Sequence, residues 1–90
     1  MKKVDKDFKK VISEVLPIME MVENDRMIPR NIKNAVQKAK ERLTTGEDGP
    51  VVQASAAIYI LEEISNDINL PGHARAFIWN ILSMLETVKE

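Results

Sequence analysis

The sequence predicts an all-α fold, a four-helix up-and-down bundle built from two tandem helix hairpins that form one domain over residues 1–90. Three observations carry that prediction. A ten-residue stretch, Asn24-Asp25-Arg26-Met27-Ile28-Pro29-Arg30-Asn31-Ile32-Lys33, returns 42 residues later as Asn66-Asp67-Ile68-Asn69-Leu70-Pro71-Gly72-His73-Ala74-Arg75. Both copies read Asn-Asp, two variable residues, Ile or Leu, Pro, three more residues and a base, the punctuation of a sharp helix–helix corner. Apolar residues at helical spacing precede and follow each copy, and no segment alternates with period two for long enough to be a strand.

Helix 1 is expected over about Val4 to Glu23. On a helical wheel Val4, Val11, Ile12, Val15, Met19 and Val22 fall within about 60° of Phe8. Pro17 lies inside this pattern and normally argues for a break. It projects opposite Phe8, toward solvent, so one helix with a kink is expected. Asn24 or Asp25 then closes it, Asn being tolerant of the left-handed conformation that helix ends often need. Pro29 suits the first turn of helix 2, where its missing N–H costs nothing. Helix 2 covers about Pro29 to Thr44 and buries Ile32, Ala35, Val36, Ala39 and Leu43.

Residues 44–50 form the one clear linker. Helix 3 is expected from Pro50 to Asn66, burying Ala54, Ala57, Ile58, Leu61 and Ile64. Helix 4 follows from Pro71 to Val88, burying Ala74, Ile78, Ile81, Leu82 and Leu85. Short corners make antiparallel neighbours, and two hairpin repeats are too few for an open solenoid, so closure into a bundle is favoured.

The 90 residues are 44% hydrophobic and 30% charged, which is globular composition, with no cysteine for disulfides or thiolate metal sites. Cysteine-free composition fits a reducing cytoplasm. The mixed-charge start of the chain and the lack of a long apolar run argue against a signal peptide or membrane span. Net charge is −1 but uneven: residues 26–42 hold six bases against Glu41, whereas residues 43–90 hold seven acids against two bases.

Several groups invite a functional reading. Asp25 with Lys33, and Asp67 with Arg75, repeat one pattern, which is expected of a structural clasp in which a corner acid meets a base one turn into the next helix. With Pro29 and Pro71 they define the two structural corners. His73, the only histidine, is expected to hydrogen bond to the corner just before it. An enzyme built on His73, Arg75 and Asp67 would lack a nucleophile and a pocket, so no catalytic residue, cofactor, metal or small molecule is implied. Phe77 and Trp79 widen the apolar surface of helix 4 on opposite flanks, with Met84 below Phe77. Core membership is the first expectation for them; exposed, they would be contacts for a protein partner or a second copy of the chain. Arg30, Lys33 and Lys40 share one side of basic helix 2 and supply an electrostatic face. That face supports the alternative of a nucleic-acid or ribonucleoprotein accessory protein, although the chain is not basic overall and has no nucleic-acid motif. The leading expectation is a non-catalytic helical protein-interaction module, self-associating or binding another protein.

The run Glu62-Glu63-Ile64-Ser65-Asn66-Asp67, with Pro71, His73-Ala74-Arg75, Ile78-Trp79 and Leu85-Glu86, resembles a small archaeal family known only as uncharacterised protein family 0147. Pro29-Arg30-Asn31-Ile32-Lys33-Asn34-Ala35 resembles its first corner. The likeness covers nearly the whole chain and departs at Ile68, where proline is common in the family. It implies a four-helix protein of archaeal cytoplasm and brings no activity, cofactor or catalytic residue with it.

Overall fold

The computed structural model describes residues 3–46 and 48–89, with side chains from residue 5 onward. Four helices run in order: α1 (Lys3–Glu23), α2 (Arg30–Thr45), α3 (Pro50–Ser65) and α4 (Gly72–Leu85). There is no strand among the described residues. α1–α2 is hairpin 1 and α3–α4 is hairpin 2. α1 touches the other three helices, α2 packs most extensively on α3, and α2 and α4 stand on opposite sides of the bundle. Its extents are 41 × 20 × 19 Å, one helix long and two helices across.

The expected stripes meet in one core of Val15, Met19, Ile32, Val36, Ala57, Leu61, Ile78, Ile81 and their neighbours. Phe8, Ile12, Ala35 and Ile58 are only partly buried at its edge, and Val4 lies outside the described side chains. α1 runs unbroken through Pro17, whose ring is exposed. A ring on the wet side leaves the unpaired carbonyl of the preceding turn open to water, which is why the proline is tolerated.

Three boundaries differ from the sequence reading. Pro29 and Pro71 are the residues just before α2 and α4 rather than their first turns, with φ near −59° and ψ of 152° and 147°. Their carbonyls accept the opening bonds of each helix, from Ile32 and Lys33 and from Ala74 and Arg75. No described residue has positive φ, so neither Asn24 nor Asp25 uses the left-handed cap. α4 stops at Leu85, and a tight turn, in which Val88 N–H donates to the Leu85 carbonyl, still buries Val88.

Gln53 is the buried polar residue of the α3 stripe. Its Nε2 donates to the carbonyls of Arg42 (2.9 Å) and Leu43 (3.4 Å), closing the C-terminal turn of α2. A Cβ at Gly46 would lie 2.9 Å from that same Nε2 and 3.0 Å from the Arg42 carbonyl, so glycine leaves room for the cap.

Candidate interaction surface

The two corners share one construction. In each, the aspartate Oδ1 accepts the N–H two residues on: Met27 for Asp25 and Asn69 for Asp67, both at 2.8 Å. Each aspartate carbonyl then accepts from the buried plug, Ile28 or Leu70. This Asx turn reverses the chain without positive φ. A carboxylate has a second oxygen, and both aspartates use it across the bundle. Asp25 Oδ2 accepts from Nε2 of His73 at 2.6 Å, and Asp67 Oδ2 accepts from Nδ2 of Asn31 at 3.1 Å. A carboxylate acceptor makes Nε2 the protonated nitrogen of that imidazole. The offset of 42 that relates Asp25 to Asp67 also relates Asn31 to His73, so the contacts are reciprocal. The corners interlock at one end of the bundle about a local twofold.

This corrects the expected clasps. Arg75 donates through Nη1 to the Ser65 carbonyl at 2.8 Å, not to Asp67. Lys33 acts on Asp25 only through its field, and His73 reaches the far corner rather than its own. The Asp25 carboxyl is held below the usual carboxylate range, first by the Met27 N–H and then by the His73 hydrogen bond, with burial opposing.

The basic face of α2 is partly occupied. Lys40 Nζ lies 2.8 Å from Glu23 Oε1, a buried oxygen with no aligned hydrogen bond, so the contact is an ion pair. Lys33 is half-buried near Asp25, and of the three expected bases only Arg30 is exposed.

The aromatic residues separate. Phe77 and Met84 are half-buried against the core. Trp79 is 58% exposed, against the first expectation that it joins the core. Two residues along a helix is about 200° around it, so Trp79 cannot share a face with Phe77. Its flank faces α3 instead: Arg75, four residues earlier on the same side of α4, reaches the last turn of α3. On α3 the exposed face carries Tyr59 (71% exposed) and Val52 (53%). These two residues were missed. The signal was present as two charge-free runs, thirteen residues over Gly49–Leu61 and ten over Ala76–Leu85, too long for only one face of each helix to be uncharged.

The offset of 42 supplies an internal control. Val52, Ala56, Tyr59, Trp79 and Ser83 on hairpin 2 correspond to Lys10, Glu14, Pro17, Gln37 and Glu41 on hairpin 1. All five of the latter are exposed. Three of these positions are charged on the first hairpin, Lys10, Glu14 and Glu41, and none of the five is charged on the second.

Beside Trp79, an apolar groove of about 480 Å³ is lined by Val51, Ala54, Ser55, Ile58, Leu85 and Val88, with Glu86 and Lys89 at its rim. Among the described residues no group of three or more His, Cys, Asp or Glu is placed to hold a metal, and no helix is long and apolar enough to cross a membrane.

The sequence profile of an uncharacterised protein family, UPF0147, matches residues 1–88. The chain belongs to that family. UPF0147 protein MJ1419 of Methanocaldococcus jannaschii is 42% identical over 85 residues, covering 94% of this chain and 91% of the relative. The UPF0147 protein of Sulfurisphaera tokodaii is 46% identical over 79 residues, covering 88% and 89%. The crystal structure of MMP1188, a protein of unknown function, matches with a TM-score of 0.80 and 37% identity over 100% of both chains. A UPF0147 structure from Thermoplasma acidophilum shares the fold, with a TM-score of 0.85 at 24% identity over 93% of this chain and 99% of that one. The interlocked corners and the exposed Tyr59 and Trp79 thus sit on a UPF0147 four-helix fold.

Proposed function

We propose that this UPF0147 chain is a cytoplasmic, non-catalytic protein-interaction module whose contact surface is the outer face of hairpin 2. The carrying observation is the contrast between positions related by the offset of 42. If the exterior served solubility alone, both hairpins would carry charge at these matched positions, as hairpin 1 does at Lys10, Glu14 and Glu41. Hairpin 2 instead presents Val52, Tyr59 and Trp79 to solvent. Tyrosine and tryptophan are residue types that protein interfaces favour, because a large rigid ring gains contact area at little entropic cost. The nucleic-acid alternative loses support where Lys40 is taken up by Glu23 and Lys33 lies beside Asp25.

The test is capture of partners from host extract by the tagged chain, in RNase-treated and untreated halves, with Tyr59→Ala/Trp79→Gln run alongside. Both side chains are exposed, so the variant should keep wild-type helicity and urea midpoint. Partners should survive RNase and fall about tenfold or more with the variant. Partners lost with RNase and kept by the variant would move the function to α2. Partners kept by the variant in both halves would place the contact elsewhere.

A further inference from the structure

We propose that a second copy of this chain covers the outer face of hairpin 2, each Trp79 entering the apolar groove of the other copy. The inference rests on the reading of that face as a contact surface and names its occupant. Trp79 and the groove lie on one flank of α4. Glu86, at the groove rim, is seven residues from Trp79, which is two helical turns along the same face, about 10 Å. The projecting ring and the recess that would receive it are therefore side by side on one surface, displaced along the hairpin axis. When two such faces meet antiparallel about a twofold axis perpendicular to the helices, both rings meet both recesses at once. That is the condition for an isologous, closed dimer. The groove, at about 480 Å³, is ample for an indole.

Charge fits the same arrangement. Arg75 reaches Ser65, and Leu85 and Ala54 line the same groove, so in this antiparallel pair Trp79 stands level with Ile60 and Leu61, within two residues of Glu62. Glu62 is exposed and lies one turn beyond Ile58 on the groove side of α3. Lys89, also exposed, rims the groove at the opposite end of the face. The twofold that brings Trp79 into the partner's groove brings each Glu62 to the other copy's Lys89. A parallel arrangement would keep Glu62 and Lys89 at opposite ends of the interface.

Hairpin 1 does not repeat these features. Its corresponding groove is smaller, about 300 Å³, and is lined by Phe8, Lys9, Ile12, Leu43 and Thr44. The position equivalent to Trp79 is Gln37. A dimer formed through hairpin 2 therefore leaves no equivalent face for a third copy.

Sedimentation equilibrium of the full chain from about 5 µM to about 1 mM reads the association directly, a range chosen for an interface at the small end of stable ones. The expected result is a reversible monomer–dimer equilibrium. Emission from the lone tryptophan should shift to the blue as concentration rises. Trp79→Gln should raise Kd about tenfold or more while helicity and urea midpoint stay at wild-type values. Glu62→Lys and Lys89→Glu should each raise Kd a few-fold, about two to five, and together restore it. A monomer up to about 1 mM would overturn the second-copy assignment. The capture experiment, read with Trp79→Gln, would then decide whether the face is a contact surface at all. A dimer indifferent to Trp79→Gln would overturn the docking, and species that grow beyond dimer with concentration would overturn the closed twofold.

Discussion

Hairpin 1 and hairpin 2 match position by position at an offset of 42, and they agree and disagree in different layers. At the corners they agree bond for bond: the same Asx turn, an apolar plug at the same position, Ile28 or Leu70, and the same proline before the next helix. In the core they trade size, with Val15 against Ala57, Ile32 against Ala74, and Ala39 against Ile81. On the exterior they part at matched positions, where Lys10, Glu14 and Glu41 of hairpin 1 stand against Val52, Ala56 and Ser83 of hairpin 2, beside the exposed rings of Tyr59 and Trp79. The agreement marks what a hairpin of this bundle needs in order to reverse and dock. The exterior is free of that requirement, so its divergence is where function can be sought.

The largest expected effect tests the core exchange. Ile32 is fully buried and its counterpart is Ala74, so Ile32→Ala makes hairpin 1 resemble hairpin 2 at that level. If the hairpins were interchangeable the change would be mild. In a close-packed core it leaves a hole instead, and urea unfolding should show a loss of about 2–5 kcal/mol. Ala74→Ile, the reverse imitation, should cost less, about 1–3 kcal/mol, through overpacking. Equal, small losses would mean the core tolerates either hairpin's pattern.

Periodicity made the helices and most of the core legible, because one apolar stripe at 3.6-residue spacing needs no tertiary knowledge. The repeat likewise exposed Asp25, Pro29, Asp67 and Pro71 as corner residues. Their partners were not legible. Asp25 and Asp67 looked tied to Lys33 and Arg75 because those bases are close in sequence, but the second carboxylate oxygen reaches His73 and Asn31 only once the hairpins have docked. Trp79 was ambiguous for a related reason: the breadth of a buried stripe depends on how many neighbours a helix has. Gln53 was hidden by its type, since a polar residue inside an apolar stripe reads as exposed unless a carbonyl awaits it.

That cap gives the second comparison. Gln53 corresponds to Val11 on hairpin 1, and the two helix ends differ in a matching way. α4 closes with its own backbone turn, Glu86 N–H to the Leu82 carbonyl and Thr87 N–H to the Met84 carbonyl, whereas α2 is closed by the Gln53 side chain. Gln53→Val should therefore leave the Arg42 and Leu43 carbonyls without that donor and cost about 1–3 kcal/mol in urea unfolding. Gly46→Ala should lose part of the same energy, because the new methyl competes with Nε2 for one space. A Gln53→Val protein as stable as wild type would show that α2 can close as α4 does.

The smallest effect concerns the side chain that bridges to the opposite corner, His73 on one hairpin where the other has Asn31. His73→Asn gives both corners the same side chain at that position, and asparagine can still donate to Asp25 Oδ2 while the charge an imidazolium carries is gone. The Asp25 carboxyl titrates below its ordinary value in the folded protein. Its contribution to stability is then fully present above about pH 4 and fades as pH falls through the folded value. Urea midpoints measured from pH 6 downward should fall most steeply below about pH 4 in the wild type, less steeply in His73→Asn, and least in Asp25→Asn. The middle place follows from the order of causes: the Met27 N–H holds the carboxylate most strongly and survives the histidine change. If His73→Asn proved as shallow as Asp25→Asn, the cross-hairpin contact would outweigh the local turn. The corners would then be docking devices first and chain reversals second.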